Sequence, residues 1–278
     1  MTDTTSPAPT APTAPTAPTS VWAGAWRLAD YWAMVYRRTW KASVVSSFVT
    51  PLLYVLAMGV LLGGFIDGDP ARLEGATSYL AFVVPGMLAA QTMTSVVGEC
   101  TYPVMSAVKW HKTYFAMTTS PLSVPEVILA NLGFVLARVA LASVVFLAVT
   151  ACFGVYVSWW GVLAALPVQL LLGLAFAAPV YAFTAGLMNE TAFSLVFRLG
   201  MIPMFLFSGA FFPVANLDAP LEAVARATPL WHGVDLTRML VLGELDPTTA
   251  LVHVVYLAAL AGLGWWWAVR RLTRRMVV

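Results

Sequence analysis

The feature that most constrains this chain is a set of long runs without a charged residue. The widest lies between Arg138 and Glu190, and two others lie within residues 42–66 and 75–98. A helix needs about 20 apolar residues to cross the roughly 30 Å of hydrocarbon in a bilayer, so each run is long enough to span a membrane. Composition agrees, because 60% of the residues are hydrophobic and only 10% are charged. The fold class predicted is therefore an all-α membrane protein.

The charge-free runs predict six spans. Each is expected to be a helix, because backbone groups inside lipid have to be hydrogen-bonded within their own segment. The widest uncharged run is long enough for two crossings, joined near Trp159 and Trp160, which suit a membrane interface. The fifth span is short and is interrupted by Pro203. The predicted spans are 43–66, 77–98, 136–157, 161–187, 193–212 and 248–269.

The distribution of Lys and Arg predicts that both ends of the chain lie in the cytoplasm. With six spans and a cytoplasmic N-terminus, all 15 Lys and Arg residues except Arg72, Arg226 and Arg238 fall inside. This is the bias expected of membrane proteins, whose cytoplasmic loops retain positive charge. The net charge is only +2, so charge gives no indication of a nucleic-acid partner.

The membrane domain is predicted for residues 21–275. Two N-terminal segments, the tail 1–20 before this domain and the helix 22–41 within it, differ from the spans. Residues 1–20 are rich in Thr, Ala and Pro, which predicts a disordered tail. Residues 22–41 place aromatic and charged side chains on different helical faces, which predicts a helix in the cytoplasmic interface of the membrane. This helix is either a simple anchor or an elbow that also contacts a cytoplasmic partner. Its main residues are Trp22, Trp26, Arg37, Arg38 and Trp40.

The segment from Cys100 to Pro125 is the longest predicted cytoplasmic connection. Connections in compact domains usually run about 4–6 residues, and longer ones tend to be functional or disordered. Its aromatic and basic residues argue against disorder and predict a short helix that offers a docking surface below the membrane. The alternative is a basic interfacial loop that only reinforces the topology. The candidate docking residues are Lys109, Trp110, His111, Lys112, Tyr114 and Phe115.

Between the fifth and sixth spans, residues 211–245 are too polar for a span but carry helix signals. Asp218 is expected to cap a first short helix, which Pro229 ends. A second short helix follows, in which Asp235 and Arg238 lie three residues apart and are expected to pair. The two helices either re-enter the outer leaflet or form a hairpin on the outer surface.

The sequence contains no nucleotide-binding or hydrolytic motif of the kinds G-x-x-x-x-G-K-[ST], H-E-x-x-H or G-x-S-x-G. No ionisable residue is expected at mid-membrane depth in any predicted span, whereas ion-coupled carriers usually keep such groups for the coupling ion. We therefore expect that the chain is not an enzyme and holds no cofactor or metal, and that any energy source lies elsewhere.

Two motifs resemble the permease subunits of ABC-2 type exporters, closest to those for nodulation lipo-oligosaccharides and for daunorubicin efflux. Residues 205–214, FLFSGAFFPV, match the family pattern F-L-x-S-G-x-F-F-P at the end of the fifth span. Residues 229–238, PLWHGVDLTR, match P-L-x-x-x-x-D-x-x-R before the last span. The resemblance extends over residues 22–275 and includes the interfacial helix, the six spans and the long loop after the second.

The resemblance implies two permeases, identical or of two kinds, packed around a central path with two cytoplasmic ABC ATPase subunits that carry ATP and Mg²⁺. Residues 109–115 would dock on the ATPase, and the 22–41 helix would form the other half of that contact. The outer end would be closed by a re-entrant gate that includes Pro213, Pro229, His232, Asp235 and Arg238. Candidate lining residues, each of which has lipid or a neighbouring helix as its alternative contact, are Phe48, Tyr54, Phe82, Met87, Met93, Met204, Phe205 and Phe207.

The function implied is that of the transmembrane subunit of an ATP-driven exporter in a bacterial inner membrane. Apolar and aromatic spans favour an amphiphilic or lipid-linked substrate or a drug over an ion, and the outward direction follows from the resemblance alone. Two alternatives stay open, an ion-coupled secondary carrier and a membrane scaffold that transports nothing.

Overall fold

The computed structural model describes residues 73–119 and 122–276, together with residues 34, 37, 49, 52, 53 and 55–57. Within these ranges every regular element is helical, which confirms the predicted all-α class. The helices are α1 (Tyr79–Trp110), α2 (Thr113–Thr118), α3 (Val124–Ala151), α4 (Trp159–Gly186), α5 (Thr191–Phe207), α6 (Ala219–Arg226), α7 (Pro229–Leu242) and α8 (Pro247–Met276).

Four of the described helices, α1, α3, α4 and α8, are long and apolar enough to cross a membrane. They correspond to the predicted second, third, fourth and sixth spans, and the shorter α5 corresponds to the fifth. The tail 1–20, the interfacial helix 22–41 and the first span 43–66 lie outside the described residues apart from scattered positions. The count of six spans therefore stays a prediction.

The third helix begins earlier than the uncharged runs indicate. Ser123 and Glu126 form a capping box, in which each side chain bonds the backbone of the other, so α3 starts at Val124 rather than at 136. Arg138 consequently lies near the middle of α3, where its guanidinium pairs with the carboxylate of Glu99 on α1. The two charges neutralise each other between the helices, and the expectation that no ionisable residue lies at mid-membrane depth stays a prediction.

Helix α4 is the centre of the bundle and packs against α8, α7, α1 and α3. A chain of buried hydrogen bonds crosses it. Thr92 of α1 donates to the Gln169 amide oxygen over 2.7 Å, and the Gln169 amide nitrogen donates to the Thr237 hydroxyl of α7 over 2.9 Å. Polar groups buried among apolar helices are costly unless they are paired, so this chain orients the three helices relative to one another.

The contact between α4 and α8 depends on a glycine. A Cβ atom on Gly264 would lie 2.5 Å from Cδ and 2.6 Å from the backbone nitrogen of Pro179, which interrupts α4. The proline ring is rigid, so neither helix has a flexible side chain that relieves this overlap. A Cβ on Gly262, two residues earlier in α8, would meet no atom within 4 Å.

We expect Gly264→Ala to lower the free energy of unfolding by about 1–3 kcal/mol through overpacking. The matched control Gly262→Ala should be neutral or stabilising by up to about 1 kcal/mol, because alanine is the better helix former. Melting temperatures of the purified variants in detergent check this, and equal values for the two variants would contradict the close α4–α8 contact.

Candidate functional site

The end of the bundle predicted to face outward is organised around Arg238 of α7, which is only 4% exposed. Its Nη1 donates to Glu74 Oε2 over 2.6 Å, and its Nη2 donates to the carbonyl oxygens of Gly209 over 2.7 Å and Phe82 over 3.3 Å. The guanidinium carbon lies 3.9 Å from the centre of the Phe82 ring, a cation–π contact. One side chain thus joins the turn before α1, the start of α1, the segment after α5, and α7.

The two family-like motifs of the sequence meet at this arginine. Gly209 of the first motif has φ +80°, a conformation that favours glycine, and this turns its carbonyl towards Arg238 of the second motif. The next residue, Ala210, presses against α1 so closely that a Cβ on Gly86 would lie 2.5 Å from the Ala210 Cα. The small residues of the first motif therefore allow backbone contact where α1, α5 and α7 converge.

Asp235 does not pair with Arg238, and that prediction is wrong. Its carboxylate contacts Nε2 of His253 on α8 over 2.9 Å, and His253 Nδ1 contacts His232 Nδ1 over 2.6 Å. Burial, together with His253, lowers the pKa of His232 to about 4, so His232 is neutral at neutral pH. Because an ionised carboxylate only accepts hydrogen bonds, Nε2 of His253 donates to Asp235, and the two histidines share a hydrogen bond between their Nδ1 atoms.

The helix signals between α5 and α8 are confirmed. Asp218 is the N-cap residue of α6, although its side chain makes no capping bond, and Pro229 opens α7 after the Thr228 cap. Pro213 is buried and precedes the short 3₁₀ turn Val214–Asn216. Helix α7 buries its side chains between α1, α4 and α8, whereas most of α6 is exposed.

At the opposite end, α1 continues past a bend at Thr101 as far as Trp110. Its first 22 residues, Tyr79–Cys100, extend about 33 Å, which already matches the roughly 30 Å of hydrocarbon. Lys112, two residues after the end of α1, has φ +53°, a left-handed conformation that turns the chain. The short helix α2 begins at the next residue, Thr113. The long predicted connection is therefore an extension of α1 followed by a short helix.

The structure divides the candidate docking residues into two groups. Lys109, Trp110, His111 and Lys112 are exposed at the turn, and Lys109 lies 3.8 Å from Glu190. Tyr114 is 1% exposed and stacks on Tyr181 of α4, and Phe115 packs partly against the core. Only the first group presents its side chains to a partner. Sequence reasoning did not separate the groups because all of these residues share the same aromatic and basic character.

The candidate lining residues and interfacial residues are placed as follows. Phe82, Met87 and Met93 are no more than 2% exposed and belong to the interior of this chain. Phe205 packs edge-to-face with Phe211 at 5.1 Å, Met204 is half-buried, and Phe207 is exposed. Arg37 is helical and exposed. Outside the described residues lie Trp22, Trp26, Arg38, Trp40, Phe48 and Tyr54.

Comparison with known proteins identifies the family. The profile of the ABC-2 type transporter family matches residues 25–242. The chain belongs to this family. It is 33% identical to nodulation protein J of Rhizobium meliloti (strain 1021) over 230 residues, which cover 80% of this chain and 84% of the relative. It is also 29% identical to nodulation protein J of Neorhizobium galegae over 254 residues, 88% of this chain and 94% of the relative.

Family membership and the apolar helices together make this chain a multi-pass membrane permease of an ABC-2 type transporter. Both family-like motifs lie within the matched residues and converge on Arg238. Sequence reasoning missed Glu74, Gln169 and His253 as their partners, because these contacts join residues distant in sequence and carry no local signal.

We expect Arg238→Gln to destabilise the permease by about 1–3 kcal/mol, because the carbonyl groups of Phe82 and Gly209 lose their charged donor. Arg238→Lys should recover little, since an ammonium group cannot reproduce the guanidinium fork. The control Arg226→Gln removes an exposed pair with Glu222 and should change stability by less than about 1 kcal/mol. Melting temperatures in detergent test the series, and equal losses at positions 238 and 226 would contradict a central role for Arg238.

His232 should make stability depend on pH. Its pKa in the folded protein, about 4, lies below the ordinary value of 6.5, so the unfolded chain binds more protons in this interval. The stabilising contribution is complete above pH 6.5 and is lost as the pH falls towards 4, by up to about 3 kcal/mol. His232→Asn should flatten the fall in melting temperature between pH 7 and 4.5, whereas the exposed control His111→Asn should not. Parallel curves for wild type and His232→Asn would contradict this assignment.

Proposed function

We propose that this permease is the transmembrane subunit of an ATP-driven exporter whose ATP and Mg²⁺ are held by separate cytoplasmic ABC ATPase subunits. It acts with a second permease, identical or related, in a bacterial inner membrane with both termini in the cytoplasm. The cargo is an amphiphilic or lipid-linked molecule or a drug, which moves outward. Membership of the ABC-2 type transporter family supports each of these assignments.

The observation that carries the proposal is the exposed turn at Lys109–Lys112. It follows the bend of α1 at Thr101, presents two cations and the half-exposed ring of Trp110, and lies next to the buried Tyr114. Tryptophan is a frequent binding hot spot, and exposed cations favour an oppositely charged partner surface. We propose that α1, which extends from Phe82 beside Arg238 to this turn, carries movement of the turn to the outer end.

The outer end supports a gate. Helix α7 lies inside the bundle, bonded through Arg238 and Thr237, while α6 leaves Leu221 and Val224 exposed. We propose that both helices re-enter the outer leaflet, because α7 is covered by protein and the Ala227 carbonyl at the break between the helices accepts a hydrogen bond from the Tyr256 hydroxyl. If α1 tilts, either the contacts of Arg238 break or the residues that make them move together with α1.

An apolar stripe on α5 supports a second permease and an amphiphilic cargo. Leu195, Leu199, Ile202 and Leu206 recur every three or four residues, and each is at least 45% exposed. This spacing places them on one helical face that α5 does not bury within its own chain. We propose that this face contacts the second permease or borders the central path.

An ion-coupled carrier is less well supported. The described membrane helices contain the ion pair of Glu99 and Arg138, whose carboxylate is already engaged by a guanidinium. A vesicle assay separates the two mechanisms: uptake into inverted vesicles that requires ATP supports the exporter, whereas uptake driven by an ion gradient without ATP contradicts it.

We expect Lys112→Glu and Trp110→Ala each to weaken docking of the ATPase by about 30-fold, as removal of a hot-spot residue worth about 2 kcal/mol does. The tagged permease is purified from membranes that contain its ATPase, and the yield and ATP hydrolysis of the associated P-loop protein are measured. Lys112→Glu also tests charge, because reversal introduces repulsion where the wild-type side chain attracts.

The matched control is Arg226→Glu, which reverses an exposed cation on the predicted outer side, away from the turn. All variants should keep the wild-type elution volume and melting temperature, which separates docking from folding. Unchanged yield and activity of the associated ATPase in Lys112→Glu and Trp110→Ala would refute the turn as the coupling surface.

A further inference from the structure

A cavity of about 590 Å³ lies between the end of α4 and the last turns of α8. Four arginines and two tryptophans dominate its wall, which also includes Gly186 at the end of α4. Neither the outer gate nor the cytoplasmic turn uses these residues. The arginines are Arg270, Arg271, Arg274 and Arg275, and the tryptophans are Trp266 and Trp267.

Among the residues that the structure describes, no carboxylate forms an ion pair with any of the four arginines, so none of these residues compensates the positive charge of the cavity. The negative end of the α8 dipole favours cations in the last turn, which accounts for Arg274 and Arg275. It does not account for Arg270 and Arg271, which lie one turn earlier and line the same cavity.

The guanidinium groups are held in position before any ligand arrives. Arg275 Nη1 donates to the carbonyl oxygens of Ala185 and Leu187 over 2.7 and 2.8 Å, at the end of α4. Arg270 lies over the ring of Trp266 at 4.0 Å, and Arg271 lies 5.6 Å from the ring of Trp267. These contacts fix the planes of the guanidinium groups, leaving other N–H groups of the arginines for a ligand.

The glycine at the end of α4 makes room for one of these arginines. A Cβ atom on Gly186 would lie 2.5 Å from Nη1 of Arg271 and 3.2 Å from its guanidinium carbon. The backbone at this position therefore allows the guanidinium to approach α4 closely and to face the cavity.

We propose that this cavity binds a phosphate-bearing anion through the fork-shaped donors of its arginines. Guanidinium groups match phosphate oxygens in geometry and charge, and four of them line one space of suitable size. Tryptophans at the membrane boundary place the cavity at headgroup depth, and basic pockets between helices on the cytoplasmic side suit lipid phosphates. The phosphate belongs either to an anionic phospholipid of the inner leaflet or to a soluble phosphate compound.

The cytoplasmic placement of the cavity rests on the proposed orientation, but binding itself requires no ATPase. The test uses the purified full-length permease alone, in neutral detergent and in nanodiscs. Affinity is measured by native mass spectrometry and thermal shift for phosphatidylglycerol, phosphatidylcholine and pyrophosphate. Failure of binding therefore leaves the exporter proposal standing, and failure of ATPase docking leaves this site standing.

We expect phosphatidylglycerol or pyrophosphate to bind at least about tenfold more tightly than phosphatidylcholine. The double variant R270Q/R274Q should lose about 30-fold in affinity, since each cation near a charged headgroup contributes about fivefold. R270K/R274K keeps the charge but loses the guanidinium forks, so it should still lose several-fold. The matched control Arg198→Gln removes an exposed cation outside the cavity and should bind as wild type does.

Each outcome decides the proposal. Binding of phosphatidylglycerol without pyrophosphate assigns the site to a lipid headgroup, and competition by pyrophosphate assigns it to a soluble phosphate group. Equal affinity of wild type and a folded R270Q/R274Q protein overturns the site. So does an equal loss in Arg198→Gln, because it would reduce the effect to general surface charge.

Discussion

Burial of a permanent cation is the constraint on which the packing of α1, α7 and the end of α5 depends. Arg238 is only 4% exposed, so its charge and its donors have to be satisfied almost entirely by protein. Glu74 supplies the opposite charge, and the carbonyls of Phe82 and Gly209 accept the remaining bonds. Because these acceptors come from separate segments, one side chain determines where α1, α7 and the end of α5 lie relative to one another.

Paired polar groups also orient the helices in the middle of the bundle. Glu99 pairs with Arg138 between α1 and α3, and Gln169 joins α1 to α7 through two threonines. In apolar surroundings such contacts specify the arrangement of the helices more strictly than leucine packing does, because only one arrangement satisfies them. The close approach of Gly264 to Pro179 adds a steric requirement to the polar ones.

Local signals in the sequence were reliable where the determining interaction is itself local. Pro229 opens α7 because proline geometry suits the first helical position, which involves only neighbouring residues. Charge-free runs were less reliable as helix boundaries, because a helix can continue past a charged residue. Arg138 lies within α3, and the capping box of Ser123 and Glu126 was the local signal that marks the true start of this helix.

By itself, the sequence determined that the chain is helical and apolar, and its two motifs indicated the family. It also indicated the short helices between α5 and α8. Only the tertiary structure decided that Asp235 bonds His253 while Arg238 bonds Glu74, and that Tyr114 is buried beside the exposed turn. The reason is that helix periodicity depends on neighbours along the chain, whereas the partner of a buried charge depends on which distant segment packs against it.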